Sequence, residues 1–353
     1  MITVFTPSFA DDANTNAQNL TAKEIVSRLP VDQFRVVMLG DAPPDPRISG
    51  RKNTEILHWS RHGGNTVRWL VRLLASKADI YFFPREGPLD TAFMFFRRTL
   101  GLPVALVTYV VAAVDVGVSP RMARAIREAD LVVGNSRYVA QTVKDRFGIP
   151  ALTIHSGIKR ELFYSPAETR PSGSNLTVLY AGSFQARKRV NIVIREAAKR
   201  PSVEFRLVGQ GDLQEEQKCR SLVNELGCRN VTFAGHLSQE ELAGEMRRAD
   251  VFFFPSVIEG HPQVLGQAAA CGLPAVAMDV YRPDYVVHGE TGYLVKSENE
   301  LSEKLDLLLT DQDLRLTMSV AAARHALQFD WDKITRDWES LFVEAAGKRR
   351  NRH

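Results

Sequence analysis

The residues best placed to do chemistry lie in two short stretches. One runs Ser256-Val257-Ile258-Glu259-Gly260-His261-Pro262-Gln263-Val264-Leu265-Gly266-Gln267. The other is Gly182-Ser183-Phe184-Gln185-Ala186-Arg187-Lys188-Arg189. An apolar run, residues 251–254, enters the first stretch and reads as a buried parallel strand. Pro262 suits the first turn of a helix, and Gly272 with Pro274 marks its end. The order strand, loop, helix puts Glu259 and Gly260 at the crossing. A helix opening there offers unpaired N–H groups to an anion, and its macrodipole adds to the pull. Gln263 and Gln267 are one turn apart and share the face that continues from the loop. A diphosphate and its sugar would fit this place. Arg187, Lys188 and Arg189 are three adjacent cations in a strand-to-helix loop, a set able to clamp phosphate without a metal.

Positioning such residues takes alternating strands and helices, and the pattern supplies them. Residues 1–5 read as a strand, 6–19 as a polar loop, 20–29 as a helix and 34–39 as a second strand ending at Gly40. The proline-rich stretch 41–51 reads as loop. Further strands are expected over 55–59, 79–84, 103–111 and 130–134, with helices over 65–76 and 121–128. A linker falls around 166–174. Alternation then restarts with strands at 176–181, 203–208, 231–233 and 251–254, and with helices opening at Val190, Leu213 and Gln239. The fold class that follows is α/β, two doubly wound Rossmann-like domains over residues 1–165 and 166–330.

The first stretch resembles the E-x7-E region of the GT4 family of retaining glycosyltransferases. Glu259 fills the first acidic position, and Gln267 stands where the second Glu is expected. Lys188 takes the family's loop lysine, while Ser183 replaces its arginine and Arg187 or Arg189 is left to stand in for it. The turn Val208-Gly209-Gln210-Gly211 and the segment from Asn230 through Gly235, His236 and Leu237 to Ser238 are similar to further family motifs. The resemblance implies the GT-B architecture, with a cleft between the domains and a closing helix over 331–353 that crosses back onto the first domain, anchored by Trp331. It implies a nucleotide-diphosphate sugar as donor, with no cofactor and no metal. Lys188 with Arg187 or Arg189 would stabilise the leaving diphosphate, and Glu259 would orient the sugar. Backbone groups at 235–237 would hold the base, those of Gly260, His261, Pro262, Gln263, Val264 and Leu265 would face sugar and phosphate, and Gln267 would reach the ribose.

The first domain departs further from the pattern. Asn14, Thr15 and Asn16 occupy the place of a glycine pair, and Tyr109 stands where a histidine is common. Both positions are expected on the acceptor side. These substitutions keep a second reading open, a non-catalytic protein of the same fold that binds a sugar nucleotide or glycan. A nucleotide-sugar epimerase is a third, for which the chain offers no clear set of bases.

Composition bounds the setting. A length of 353 residues favours two domains, and 44% hydrophobic with 24% charged residues is ordinary for a globular protein. The net charge of +4 makes no demand for nucleic acid. Cys219, Cys228 and Cys271 form no C-x-x-C pair, so a reduced, cytoplasmic chain is expected. Residues 1–5 lack the build of a signal peptide, and no apolar run approaches a span of about 18 residues. Basic residues do cluster: Arg61, Arg68, Arg72 and Lys77, then Arg97 and Arg98, then Lys348, Arg349, Arg350 and Arg352. They read either as solvated helix faces or as a surface for anionic lipid, which would hold the protein at the inner face of a membrane beside a glycan or lipid-linked acceptor.

Overall fold

The computed structural model describes residues 1–13, 17–59, 66–84, 87–112, 114–115, 117–166 and 176–350. The chain divides into two compact units, Met1–Ser156 with Trp331–His353, and Gly157–Asp330. The first boundary thus lies ahead of the proline-rich linker. Residues 157–165 pack into the second unit: Ile158 N–H donates to Phe329 O, Arg247 to Leu162 O, and Phe163 is fully buried.

In the first unit β1 (Ile2–Phe9), α1 (Ala17–Arg28), β2 (Phe34–Gly40), α2 (Pro46–Ser49) and β3 (Thr54–His58) come first. Then follow α3 (Thr66–Ala75), β4 (Ile80–Phe82), α4 (Pro88–Thr99) and β5 (Ala105–Val110). The unit continues with α5 (Pro120–Glu128), β6 (Leu131–Gly134), α6 (Arg137–Phe147) and β7 (Leu152–Thr153). The strands form one parallel sheet in the order β3-β2-β1-β4-β5-β6-β7. Helix α1 brings a buried face of Ala22, Ile25 and Val26, continued by Leu29 just past its end, to the layer that covers the sheet. The same layer holds Trp338, Phe342 and Ala346 of the C-terminal segment, so residues from opposite ends of the chain share one core.

The second unit holds β8 (Thr177–Ala181), α7 (Val190–Lys199), β9 (Glu204–Val208), α8 (Leu213–Glu225) and β10 (Val231–Gly235). Next are α9 (Gln239–Arg248), β11 (Val251–Phe254), α10 (Gln263–Ala270), β12 (Ala275–Met278) and β13 (Gly292–Val295). Helices α11 (Glu298–Thr310) and α12 (Gln312–Ala326) complete it, and α13 (Trp331–Arg350) returns to the first unit. Its sheet is also parallel, in the order β10-β9-β8-β11-β12-β13. Two doubly wound parallel sheets are what the alternating pattern predicts.

The departures are local. β1 runs on through Thr6-Pro7-Ser8 to Phe9, where the pattern suggests a loop. Its register with β2 shifts between Phe5 and Phe9, and such an irregularity is where a strand accommodates proline. The expected loop at 41–51 contains α2, started by Asp45, whose carboxylate accepts from Arg47 N–H. Helices α4 and α6 are short crossovers absent from the pattern reading. Pro262 sits at the N-cap of α10, one place before the first turn.

Candidate active site

In each sheet the chain order reverses beside the first strand of the unit, at β1 and β4 in one and at β8 and β11 in the other. Loops leaving the carboxyl ends of such neighbouring strands diverge and leave a crevice. In the second unit the loop after β8 forms a 3-10 turn over Ala186–Lys188, and the loop after β11 carries Glu259. The two are stitched together through one carbonyl. Arg187 O accepts from Val257 N–H at 3.1 Å and from the Ser256 hydroxyl at 3.3 Å.

This stitching gathers charge. Glu259 Oε1 accepts from Ser256 Oγ at 2.6 Å and from Arg187 Nη1 at 3.0 Å, and forms an ion pair with Lys188 Nζ. The Lys188 and Glu259 side chains are each only 10% exposed. Lys188 Nζ also lies 4.9 Å from the centroid of the Phe254 ring, so one face of the ammonium is dry. Burial pulls the Lys188 ammonium below the ordinary lysine range, and the Glu259 carboxylate pulls back against it. Arg187 is held by Ile258 O at 2.7 Å and by Gln185 Oε1 at 3.0 Å, which fixes its guanidinium at the edge of the cluster.

Gln185 also belongs to the wall of a cavity of about 710 Å³. Ser183 lines it from the loop after β8, Gly209 and Gly211 from the loop after β9, His236 and Leu237 from that after β10, and Val264 from α10. The loops meet because Gly209 allows it. Its φ is +132°, and a Cβ there would fall 1.9 Å from Gly182 O. Gly235, with φ +72°, accepts from Gly209 N–H at 2.7 Å and so ties the third loop to the second. Phe184, Leu237, Leu242 and Val264 make part of the wall apolar, and Gln185, Gln210, Asp212 and His236 make part of it polar. Arg187, Lys188 and Glu259 do not line the cavity, and Arg187 joins it through Gln185. Glycines that bring backbone close, next to a pair of cations, suit a phosphate-bearing ligand.

Lys188, Arg187 and Glu259 come together, and Ser183, His236, Leu237 and Val264 share one cavity wall. Arg189 does not join them. It adopts a left-handed conformation, φ 55°, between the 3-10 turn and α7, and its side chain pairs with Glu298 at the start of α11. Leu265 is fully buried and donates its N–H to Pro262 O at 3.0 Å, so that amide is spent inside the first turn of α10. The His261 ring is buried, stacked 3.8 Å from Tyr285, while Gly260 beside it is half-buried. Gln263 and Gln267 are half-buried, and neither lines the cavity. In the first unit Tyr109 turns into the core. It is 1% exposed, donates to Ile154 O at 3.0 Å and packs edge-on against Trp338, which removes it from any acceptor. Burial raises its phenol far above the ordinary tyrosine range, so it is no base. Asn14, Thr15 and Asn16 lie outside the described residues, as does Arg61. Sequence reasoning placed Ser256 at the head of the stretch but gave it no role. Its position three residues before Glu259 at a strand end was the available signal.

Residues 165–325 match a family model described as Glycosyl transferases group 1. The matched stretch covers most of the second unit, Gly157–Asp330. The D-inositol 3-phosphate glycosyltransferase of Mycobacterium tuberculosis is 34% identical over 245 residues, 63% of this chain and 50% of that protein. A glycosyltransferase of Methanocaldococcus jannaschii named as uncharacterized is 26% identical over 223 residues, 62% of this chain and 61% of that protein. The chain thus spans 50% to 61% of the length of these curated relatives. Among solved structures, HepE of Anabaena, crystallised with UDP and glucose, superposes with a TM-score of 0.79 at 18% identity, covering 98% of this chain and 100% of that one. Sucrose-phosphate synthase from Thermosynechococcus elongatus gives 0.80 at 20% identity, covering 98% and 99%. These likenesses establish the GT-B fold, two Rossmann-like domains, with the matched stretch lying in the second.

Proposed function

We propose that this protein is a retaining, metal-independent glycosyltransferase that moves a sugar from a nucleotide-diphosphate sugar to an acceptor hydroxyl. The observation that carries the reading is the convergence of Lys188 and Arg187 on Glu259, next to a cavity that the cluster reaches through Gln185. With the donor absent, the two cations neutralise Glu259. An arriving diphosphate competes for them, and the carboxylate turns to a sugar hydroxyl. As the bond to the anomeric carbon breaks, charge grows on the departing diphosphate, and Lys188 and Arg187 stabilise it in place. These two cations do the work a divalent ion does elsewhere, and metal independence rests on them. The diphosphate oxygen leaving on the front face takes the proton of the acceptor hydroxyl, which gives retention. The name of the Mycobacterium tuberculosis relative, a D-inositol 3-phosphate glycosyltransferase, supports transfer to a polyol hydroxyl, and the UDP seen in HepE supports a uridine donor.

We place the reaction on the cytoplasmic side of a membrane. Cys219 and Cys228 are free thiols, which suits a reducing compartment. Among the described residues no helix is long and apolar enough to cross a membrane. Helices α3 and α4 pack together and leave Val71, Leu74, Phe95 and Leu100 exposed beside Arg72, Lys77 and Arg98. Apolar tips among cations suit an anionic lipid surface. The transferase reading is tested by a time course of nucleotide diphosphate release from UDP-sugars with and without candidate acceptors, in EDTA, with the product anomer assigned by NMR. Acceptor-dependent release with retention supports it. Binding without release supports a glycan-binding protein instead.

A further inference from the structure

The first unit has its own cavity, of about 620 Å³, at the matching reversal of strand order. It opens at the carboxyl ends of β1, β2 and β5, with Phe9, Leu39 and Val110 at its floor. Trp59 follows β3, Leu89 starts α4 and Val114 lies in the loop before α5, and all three also line it. Its polar residues are few and already engaged. Asp90, 2% exposed, accepts from Tyr81 Oη at 2.6 Å and from Gly87 N–H at 3.1 Å. Ser119 Oγ caps α5 by accepting from Met122 N–H at 3.1 Å, and Gln18 donates to Phe83 O at 3.2 Å.

The contrast with the second unit is chemical. The second unit's cavity is joined through Gln185 to the Arg187–Lys188–Glu259 cluster. The first unit's, of similar size, has no such cation among its described lining residues and is walled largely by aromatic and branched aliphatic side chains. Water against the apolar part of the first unit's wall has no group to bond there, so it is readily displaced by an apolar ligand of matching shape. A crevice at a topological switch point is a ligand site by position, and its lining decides the ligand class.

We infer that this cavity takes the alkyl or aryl group of the acceptor, whose reacting hydroxyl is carried on an adjoining sugar or polyol. The inference rests on the transferase reading and narrows it to amphiphilic acceptors. Asp90, Ser119 and Gln18 mark the polar part of the wall, and the apolar group lies against Phe9, Leu89 and Val114.

The test titrates the full chain with glucose, phenyl β-glucoside and a short series of alkyl β-glucosides up to hexyl. Tryptophan fluorescence and thermal shift are read in the wild type, Trp59→Phe, Ala112→Trp and Val118→Glu. Ala112 is exposed on the wall, so Ala112→Trp fills the cavity without entering the core. Val118 is half-buried against the cluster of Val110, Val114 and Ile126, so Val118→Glu is read only at wild-type fold, checked by its unchanged stabilisation by UDP. Affinity is expected to rise about fourfold per methylene along the alkyl series, with glucose far weaker. Trp59→Phe should remove most of the optical signal and keep the thermal shift. Ala112→Trp and Val118→Glu should each weaken the hexyl glucoside at least tenfold while leaving stabilisation by UDP unchanged. A preference for hexyl marks a linear lipid-like chain and one for phenyl a ring, and either supports the inference. It is overturned if glucose binds as tightly as the alkyl glucosides, or if both wall variants leave affinity unaltered. Apolar glucosides binding to a chain that takes no nucleotide would instead sink the transferase reading.

Discussion

Exchanging Lys188 and Glu259 together should mend the fold and leave the chemistry broken. Lys188→Met strips the buried Glu259 carboxylate of its nearest cation, yet Ser256 and Arg187 remain at 2.6 and 3.0 Å. A buried charge left without any partner costs about 3–5 kcal/mol, but with these two bonds kept the loss falls to about 1–3 kcal/mol. Glu259→Gln should cost no more, because Lys188, already depressed by burial, can shed its proton. The double variant no longer buries an unpaired charge, so a favourable coupling of about 1–2 kcal/mol is expected. Turnover behaves otherwise: Lys188→Met should lower kcat/KM by about 10²–10³, and the double variant should recover none of it. The assay is urea unfolding followed by circular dichroism and by tryptophan fluorescence. Trp59, Trp69, Trp331 and Trp338 all lie in the first unit, so a transition seen by dichroism but not by fluorescence belongs to the second. Strictly additive stabilities would refute the coupled pair. Restored turnover in the double variant would refute the role given to Lys188.

Three further outcomes follow from the geometry. Gly209→Ala puts a Cβ 1.9 Å from Gly182 O at φ +132°, so it should destabilise the second unit by about 2–4 kcal/mol and weaken nucleotide binding, read by urea unfolding and calorimetry. Tyr109→Phe leaves Ile154 O without its donor and should cost about 1 kcal/mol with kcat unaltered; a large fall in kcat at wild-type stability would return Tyr109 to the acceptor site. Lys188 acts as a cation and its pKa is lowered, so kcat/KM should be steady at neutral pH and fall as pH rises through that value, below the 10.5 of an ordinary lysine. Lys188→Arg should remove this alkaline limb.

Much of this arrangement was legible because it depends on local order. An apolar run, then Glu259, then a helix start is a strand-loop-helix crossing wherever it occurs, and Lys188 follows the other strand of the same reversal. What failed to show in the sequence depends on dihedral angles and on burial. Arg189 sits in the same run as Lys188, but its left-handed backbone sends it to Glu298, a choice no composition reveals. Tyr109 stands near a strand end, where a polar tip is expected to meet ligand. The strand is covered on both faces, and its hydroxyl finds a carbonyl within the core. Leu265 was read for its backbone, which the first turn of α10 uses. Strand β1 was cut short at Thr6-Pro7 because that pair marks a turn in a chain that lacks a register shift to absorb it. The apolar cavity of the first unit was invisible, since Phe9, Trp59, Leu89 and Val114 are scattered along the chain and only the sheet order assembles them.

The most direct measurement is the thermal shift of the wild type and Lys188→Ala with UDP, GDP, ADP and TDP. One nucleotide at about 100 times its dissociation constant should stabilise the wild type by about 2.7 kcal/mol, and the variant should need at least tenfold more of it. No stabilisation by any of the four at millimolar concentration, or equal stabilisation of wild type and variant, would contradict a donor site built on Lys188.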